Sequence, residues 1–316
     1  MSSVSEGRFL SSSVPSITRG PRRATLRAGD GVRIEAVYTP CTAGSGPSGD
    51  PAPGGTAVVL AHGFTGAADR PALLRAAAVF AQRAAVITFS FRGHGRSGGR
   101  STVGDREVLD LAAAVSWARS LGHRRVVTVG FSMGGSVVLR HAALYTAVEF
   151  GESRVGESGT AEAERGERRS GAQKAHEGRI EAHSGGRADA RADVVVAVSA
   201  PARWYYRGTA PMRRLHWVVT RPLGRLVGRL GFRTRIHRED WDPVPLSPVE
   251  AVPLITAPLL IVHGDRDPYF PVDHPRMLKA AAGEGAELWL ERGMGHAENA
   301  ADEELLTRIA DWTESA

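Results

Sequence analysis

The chain of 316 residues contains a single cysteine, Cys41. One cysteine cannot close a disulfide within the chain, so nothing in the sequence requires an oxidising compartment. Long apolar runs are also missing: no stretch approaches the ~18 apolar residues of a membrane-spanning helix. The serine-rich residues 1–20 lack the apolar centre of a signal peptide and are predicted to be a disordered tail. These absences predict a cytoplasmic protein without a membrane span.

Lysine is nearly absent, since only Lys174 and Lys279 occur in a chain with a formal net charge of +6 and a sequence pI near 10.0. Arginine therefore carries the excess charge. A basic chain can indicate a nucleic-acid or membrane-surface partner. No helix-turn-helix pattern, zinc spacing or RNA-binding aromatic signature accompanies the charge, and the arginine skew of an Ala- and Gly-rich chain is typical of coding bias. We predict no nucleic-acid partner, while transient contact with an interface stays open.

One stretch that is present, residues 126–135, carries the chemistry. A β-branched run leads to Ser132, which stands between Gly130 and Gly134, and helix-forming residues 137–144 follow at once. This context predicts a nucleophile elbow, in which a serine sits on a sharp, strained turn between a strand and a helix. Its position at the helix N-terminus also directs backbone N–H groups towards an oxyanion formed nearby.

Around this stretch, strands and helices alternate. Two alternating runs, 24–27 and 32–38, flank Gly29-Asp30-Gly31 and predict a β-hairpin. A Pro/Gly/Ser-rich loop over 40–55 follows it. The remaining pattern predicts an α/β fold with a mostly parallel sheet and helices on both faces. The predicted strands are 56–61, 86–91, 126–130, 194–198, 259–262 and 287–290, and the predicted helices are 71–85, 103–121, 137–144, 273–282 and 298–312.

Two later loops carry the partners that a serine nucleophile needs, a base and a group that orients it. Residues 263–271 contain Asp265 and Asp267, and residues 293–299 contain His296. We favour Asp267, because it lies further from the strand and Pro268 stiffens the turn behind it, whereas Asp265 is suited to stabilising a turn. His274 is the rival base, but it lies only seven residues after Asp267 beside Pro275.

Two segments interrupt the alternation. Residues 151–192 are rich in Glu, Arg, Gly, Ala and Ser and are predicted to be a disordered insert. Residues 201–252 combine aromatic residues, arginines and amphipathic periodicity, and are predicted to form a helical lid between late strands of the core. We expect the stripe Leu215, Val218, Leu226 and Leu230 to face the active-site mouth and the arginines to face water; an ordinary helix packed on the core is the alternative. The core then comprises residues 21–200 and 253–316.

Five motifs follow one another along the chain: HGFTG at 62–66, FRGHGRS at 91–97, GFSMGG at 130–135, HGDRD at 263–267 and GH at 295–296. In this order they resemble the α/β-hydrolase superfamily, in particular its serine-esterase and lipase-like branch with feruloyl-esterase-like and monoacylglycerol-lipase-like members. The resemblance covers about residues 22–150 and 193–316, and the lid matches only loosely. One departure is Ser90, where these families usually have aspartate; it concerns the packing of a loop.

The resemblance implies roles residue by residue. Ser132 corresponds to the nucleophile, Asp267 to the acid and His296 to the base, and the backbone N–H groups of Phe64 and Met133 to the oxyanion hole. The implied activity is hydrolysis of a small or medium-sized carboxylic ester through an acyl-enzyme, without metal or cofactor. A thioesterase, amidase or acyltransferase would use the same triad. A non-catalytic ligand-binding protein of this fold and a basic surface-binding module are the remaining alternatives.

Overall fold

The centre of the molecule, a computed structural model that describes residues 20–42, 55–146 and 190–316, is an eight-stranded sheet. Its order is β1-β2-β4-β3-β5-β6-β7-β8. The strands are β1 Arg22–Arg27, β2 Arg33–Thr39, β3 Thr56–Ala61, β4 Ala85–Phe89, β5 Arg125–Phe131, β6 Val194–Val198, β7 Leu259–Gly264 and β8 Ala286–Glu291.

The first two strands form the predicted hairpin, in which Arg27 pairs with Arg33 across a turn that contains Gly31 at φ 82°. Strand β2 runs antiparallel to both of its neighbours, β1 and β4, and all other neighbouring strands are parallel. The carboxyl ends of β3, β5, β6, β7 and β8 therefore meet at one edge of the sheet, which we call the carboxyl edge. Loops that follow these strands are brought together there.

Helices cover both faces of this sheet, as predicted. They are α1 Pro71–Phe80, α2 Glu107–Ser120, α3 Met133–Leu144, α4 Ala210–Thr220, α5 Pro222–Gly231, α6 Pro248–Ala251, α7 Asp273–Ala282, α8 Ala297–Ala300 and α9 Glu303–Ser315. Helices α1 and α9 pack on one face, and α2, α3 and α7 on the other. Because both faces are covered, the valine-rich strands β5 and β6 are buried along nearly their whole length.

Four predicted helices have different bounds in the structure. The helix predicted over 71–85 ends at Phe80, and the helix predicted over 137–144 begins at Met133. The helix predicted from residue 103 begins at Glu107, because the carboxylate of Glu107 is buried and accepts hydrogen bonds from the backbone N–H groups of Thr102 and Gly104. The helix predicted over 298–312 is split into α8 and α9. The side chain of Asp302 accepts the backbone N–H of Leu305 at 2.8 Å and so starts a new helix as its N-cap.

The predicted tail, apart from Gly20, lies outside the described residues, as do residues 43–54 of the loop over 40–55. Residues 147–189 also lie outside, so most of the predicted insert over 151–192 is not covered. Its final residues are covered, and there the prediction is wrong: Ala190 and Ala192 are buried. The neighbouring Asp193 carboxylate accepts the backbone N–H of Val126 at 2.7 Å. Residues 190–192 therefore belong to the folded core.

Residues 201–252 lie between β6 and β7, as predicted, but the orientation predicted for α5 is wrong. Leu226 and Leu230 are 48% and 73% exposed, whereas Gly224 and Gly228 are buried. A Cβ on Gly224 would stand closer than 3.0 Å to the carbonyl oxygen of Trp217 in α4. The glycine side of α5 therefore packs on α4, since only a side without side chains allows so close an approach.

No helix within the described ranges combines the length and apolar character that crossing a lipid bilayer demands.

Candidate active site

Ser132 occupies a strained turn between β5 and α3, with φ 52° and ψ −112°. For a non-glycine residue, this backbone conformation raises the free energy of the folded state by on the order of 1–3 kcal/mol, which contacts with the surrounding structure must offset. Both flanking glycines are needed for the turn. A Cβ on Gly130 would stand closer than 3.0 Å to the carbonyl oxygen of Gly134, and a Cβ on Gly134 equally close to that of Ala61. The turn therefore has the predicted elbow geometry.

A chain of two hydrogen bonds joins Ser132 to residues from the two later loops. The Nε2 atom of His296 lies 2.9 Å from the Oγ atom of Ser132, and its Nδ1 atom lies 2.7 Å from the Oδ2 atom of Asp267. A carboxylate can only accept, so Nδ1 carries the proton and Nε2 accepts the hydroxyl proton of Ser132. The imidazole is thus held in the tautomer that a general base requires.

The side chain of Asp267 is fully buried and accepts three hydrogen bonds. Its Oδ1 atom accepts the backbone N–H groups of Tyr269 at 2.8 Å and Phe270 at 3.1 Å, while Oδ2 faces His296. The buried His263 lies 3.7 Å from Oδ2 and donates its Nε2–H to the carbonyl of Phe270. Burial raises the pKa of Asp267, but the hydrogen bond and charge of His296 and the two N–H groups outweigh it and hold the pKa below 3.8.

Tyr269 touches three parts of the site at once. Its N–H supports Asp267, and its ring lies 4.3 Å from the ring of His296, measured between centroids. Its carbonyl accepts the hydroxyl of Thr209 at 2.9 Å, at the start of α4. Residues 201–252 are thereby tied directly to the loop that carries Asp267.

The two rival residues have other partners. Asp265 accepts the backbone N–H of Gly293 at 2.6 Å and so joins the loop after β7 to the loop after β8. His274 is buried in α7, where its Nδ1 atom accepts the backbone N–H of Ala202 at 2.9 Å. Neither is hydrogen-bonded to Ser132 or His296, so the structure brings together Asp267 and His296.

The loop after β3 packs against the elbow and brings Phe64 beside Ser132. A Cβ on Gly63 would lie 3.4 Å from the Cβ of Ser132. Among the described residues, the backbone N–H groups of Phe64 and Met133 have no hydrogen-bond partner. Both residues lie next to Ser132, so their free N–H groups are candidate donors to an oxyanion formed at the serine.

Buried side chains support the loop that follows β3. His62 donates Nδ1–H to the carbonyl of Gly63 at 2.7 Å and accepts the N–H of Phe91 at its Nε2 atom. Burial, with a smaller contribution from the charge of His94, lowers the pKa of His62 to about 3, so the ring is neutral. Ser90, the departure from the family pattern, accepts the N–H of Ala68 at 3.0 Å and therefore still supports the neighbouring loop.

Two supporting residues were missed by the sequence analysis. The Glu298 carboxylate, nearly buried, accepts the N–H of Gly63 at 3.0 Å and anchors the loop that carries Phe64. The hydroxyl of Ser199, which follows β6, accepts the N–H of Ala297 at 3.0 Å and fixes the residue after His296. The sequence did place Ser199 directly after a predicted strand, and therefore at the carboxyl edge. Nothing in the sequence indicated that Glu298 pairs with Gly63, which lies 235 positions away.

A cavity of about 590 Å³ opens in front of Ser132, between the carboxyl edge and residues 201–252. Half of the residues that line it are aromatic or aliphatic, and six are charged. The apolar lining includes Phe64, Met133, Trp204, Tyr205, Tyr206, Met212, Leu215, Val219, Ile236 and Trp241, and the charged lining is Arg203, Arg207, Arg225, Arg238, Glu239 and Asp240. Among the described residues, no cluster of three or more His, Cys, Asp or Glu is arranged to hold a metal ion.

Comparison with known proteins gives one family match. A sequence model described as "Alpha/beta hydrolase family" matches residues 58–307, which is most of the chain. The search of curated proteins returns no significant match.

Solved structures that are similar over nearly the whole chain include esterases. The esterase Pf2001 of Pyrococcus furiosus is 18% identical, with 98% of this chain and 99% of that chain covered and a TM-score of 0.62. Est1E of Butyrivibrio proteoclasticus, solved with ferulic acid bound, is 16% identical, with coverages of 92% and 98% and a TM-score of 0.54. The alpha/beta hydrolase GrgF of Penicillium sp. sh18 is 16% identical, with coverages of 94% and 99% and a TM-score of 0.63. At these identities the similarity shows the fold.

Proposed function

The chain belongs to the alpha/beta hydrolase family and has its fold, and we propose that it is a serine hydrolase that cleaves carboxylic esters through an acyl-enzyme on Ser132. One observation carries the proposal: the serine on the strained turn is hydrogen-bonded to His296, which is hydrogen-bonded to the buried Asp267. A base in reach of the hydroxyl and a carboxylate that orients the base are the parts that activate a serine.

In the first half of the reaction, His296 takes the hydroxyl proton on Nε2 as the Oγ atom of Ser132 attacks the ester carbonyl. The oxyanion receives hydrogen bonds from the N–H groups of Phe64 and Met133. His296 then gives the proton to the departing alcohol as the C–O bond breaks. Asp267 stays ionised throughout, because its pKa lies below 3.8, and stabilises the imidazolium.

In the second half, a water molecule takes the place of the alcohol. His296 accepts a proton from the water as its oxygen attacks the acyl carbon, and the same two N–H groups stabilise the second oxyanion. The collapse of this intermediate returns the proton to Ser132 and releases the carboxylic acid. No group outside the triad and the oxyanion hole has to gain or lose a proton.

The cavity supports an ester with an acyl or aryl group of small or medium size. Its volume of about 590 Å³ lies within the usual range of ~300–1,000 Å³ for small-molecule sites. Aromatic walls suit an apolar substituent, and Trp204 and Trp241 lie with ring centroids 5.1 Å apart on one side. Est1E, whose structure holds ferulic acid, offers a parallel among proteins of this fold.

Residues 201–252 act as a lid in this proposal. They supply one wall of the cavity, through residues of α4 such as Met212, Leu215 and Val219, while the core supplies the wall that carries Ser132. At the far end of the lid, the backbone N–H of Arg235 donates to the carbonyl of Gly93, and that of Ser101 donates to the carbonyl of Arg235. The two ends of the helical pair are thus fixed to the core while α4 and α5 span the space between them.

A fluorophosphonate probe tests the proposal directly, because it forms a covalent bond only with an activated serine. We expect one labelled site, identified as Ser132 by peptide mass spectrometry, and turnover of p-nitrophenyl acetate. Ser132→Ala should lose both labelling and at least ~10³-fold in kcat. A panel of matched esters, thioesters and amides then ranks the leaving groups.

Ser136 offers a matched control. It lies one helical turn after Ser132 and also lines the cavity, yet its hydroxyl has no hydrogen-bond partner among the described residues. Ser136→Ala should therefore keep both labelling and turnover. Labelling that persists in Ser132→Ala would refute the proposed nucleophile.

A further inference from the structure

Helix α5 exposes its large apolar residues to solvent. Leu223, Leu226, Val227 and Leu230 are all at least 42% exposed, and their spacing of i, i+3, i+4 and i+7 puts them on one side of the helix. We call these four residues the outer face. Trp217 in α4 and Phe232 after α5 are also exposed in the same pair of helices.

The direction of the outer face is fixed by packing on the opposite side. Gly224 lies against the backbone of Trp217 and Val218, and a Cβ on Gly228 would lie 3.2 Å from the Cδ1 atom of Ile236. A rotation that turned the leucines inward would put side chains where only glycine fits. The usual arrangement of an amphipathic helix is therefore reversed, since large apolar residues normally face the core.

The same segment is strongly basic. Residues 203–238 contain ten arginines and no acidic residue. Arg214 and Arg229 are exposed, and within the described residues they form no ion pair. An apolar stripe on α5, combined with unpaired arginines on α4 and α5, is the pattern of helices that lie in the interface of a membrane rather than across it.

We propose that the outer face docks onto a lipid surface that contains anionic headgroups. The apolar side chains enter the boundary between headgroups and acyl chains, and the arginines bind the anionic headgroups. This docking does not rest on the proposed function, because none of the residues involved belongs to the triad or the oxyanion hole.

The charge of this segment favours a lipid surface over a second copy of the chain as the partner of the outer face. Two copies that met through their outer faces would bring together two segments that each contain ten arginines and no acidic residue over 203–238, and like charges at an interface oppose association. An anionic lipid surface supplies the opposite charge instead. The helical pair also lies over the cavity, since Arg225 of α5 and Val219 of α4 line it. Docking would therefore hold the cavity close to the lipid surface.

Vesicle flotation tests the proposal with the full-length protein. We compare vesicles of phosphatidylcholine with vesicles of phosphatidylcholine and phosphatidylglycerol, and expect at least tenfold tighter binding to the anionic vesicles at low salt. Binding should weaken as the salt concentration rises from ~0.05 M to ~0.5 M, because the screening length shortens. The double variant Leu226→Ser/Leu230→Ser should bind at least tenfold more weakly, which corresponds to ~1.4 kcal/mol.

Two matched controls separate the apolar and the basic contributions. Leu74 is 49% exposed on α1, so Leu74→Ser changes an equally exposed leucine elsewhere and should bind as the wild type does. Arg214→Gln/Arg229→Gln should lose the preference for anionic vesicles, whereas Arg292→Gln, also at an exposed position, should retain it. Ser132→Ala should dock normally, so that a failure of the proposed function leaves this test valid.

Three results would overturn the proposal. The first is vesicle binding that Leu226→Ser/Leu230→Ser leaves unchanged. The second is a dimer, seen by analytical ultracentrifugation, that the same variant dissociates in the absence of vesicle binding; the outer face would then be occupied by a second copy. The third is a large fall in Tm in that variant, which would mean that the face is covered within the folded chain.

Discussion

Replacing Asp267 by asparagine should abolish most of the activity by changing the tautomer of His296. The Oδ1 atom of Asp267 accepts two backbone N–H groups, so the oxygen of an asparagine must occupy that position. Its NH₂ group is then forced into the place of Oδ2, 2.7 Å from the Nδ1 atom of His296. An NH₂ group can only donate there, so the imidazole would carry its proton on Nε2 and could no longer accept the proton of Ser132.

The expected loss is on the order of 10⁴ in kcat, or ~5 kcal/mol, as for other triads whose base is held in the wrong tautomer. KM should change little, because Asp267 does not line the cavity. The measurement is steady-state hydrolysis of p-nitrophenyl acetate, with circular dichroism to verify folding. Asp265→Asn is the matched control: its amide oxygen can still accept the N–H of Gly293, so kcat should stay near the wild-type value. A loss below tenfold in Asp267→Asn, or an equal loss in Asp265→Asn, would refute the tautomer argument.

The same variant tests the pKa of Asp267 through stability. The pKa of this group in the folded protein is held below 3.8, so its ionised form stabilises the fold above pH 3.8. That contribution is lost as the pH falls through the folded-state pKa. The difference in Tm between wild type and Asp267→Asn should therefore be largest near neutral pH and shrink below pH 3.8. A difference that stays constant down to pH 3 in calorimetry would contradict it.

Three further predictions concern the surroundings of the triad. Leu215→Ser, in the cavity wall, should reduce kcat/KM for long-chain esters more than for acetates. Leu226→Ser, on the outer face, should leave the chain-length profile of soluble esters unchanged. Equal effects of the two variants would contradict the orientation of α4 and α5 described above. Glu298→Ala should lower kcat ~10- to 100-fold with little change in KM, because the loop that carries Phe64 loses the hydrogen bond that anchors it. Glu298→Gln keeps an acceptor for the N–H of Gly63 and should therefore retain most of the activity. Replacing residues 152–189 by a short Gly/Ser linker should preserve Tm and kcat/KM, because their composition provides almost no apolar side chains for a core; a marked fall in either would contradict this.

Local patterns in the sequence were sufficient to predict the sheet, the elbow and the three residues that the structure brings together. The elbow is visible because its glycines and its strand-to-helix transition are adjacent in the chain. Asp267 and His296 could be chosen because each follows a strand of the parallel part of the sheet, and parallel strands end at one edge.

What could not be predicted depends on contacts between distant residues. The pairing of Glu298 with Gly63 spans 235 positions, and that of Ser199 with Ala297 spans 98. The orientation of α5 was predicted wrongly because its periodicity identifies an apolar side without showing which side has room for a neighbouring helix. Gly224 and Gly228 decided that, through contacts with α4 and Ile236. By contrast, the break before α9 was readable, since Asp302 is a good N-cap residue in front of Glu303 and Glu304.

Tyr269 has a consequence for how this protein can be recombined with its relatives. Its carbonyl accepts the hydroxyl of Thr209 in the segment 201–252, while its N–H and ring contact Asp267 and His296. A chimera that exchanged residues 201–252 alone would replace Thr209 but keep Tyr269. The imported segment would then pack against a 267–270 loop that belongs to a different segment. Residues 201–252 and the 267–270 loop are therefore structurally coupled, and an exchange that preserves function has to transfer both together.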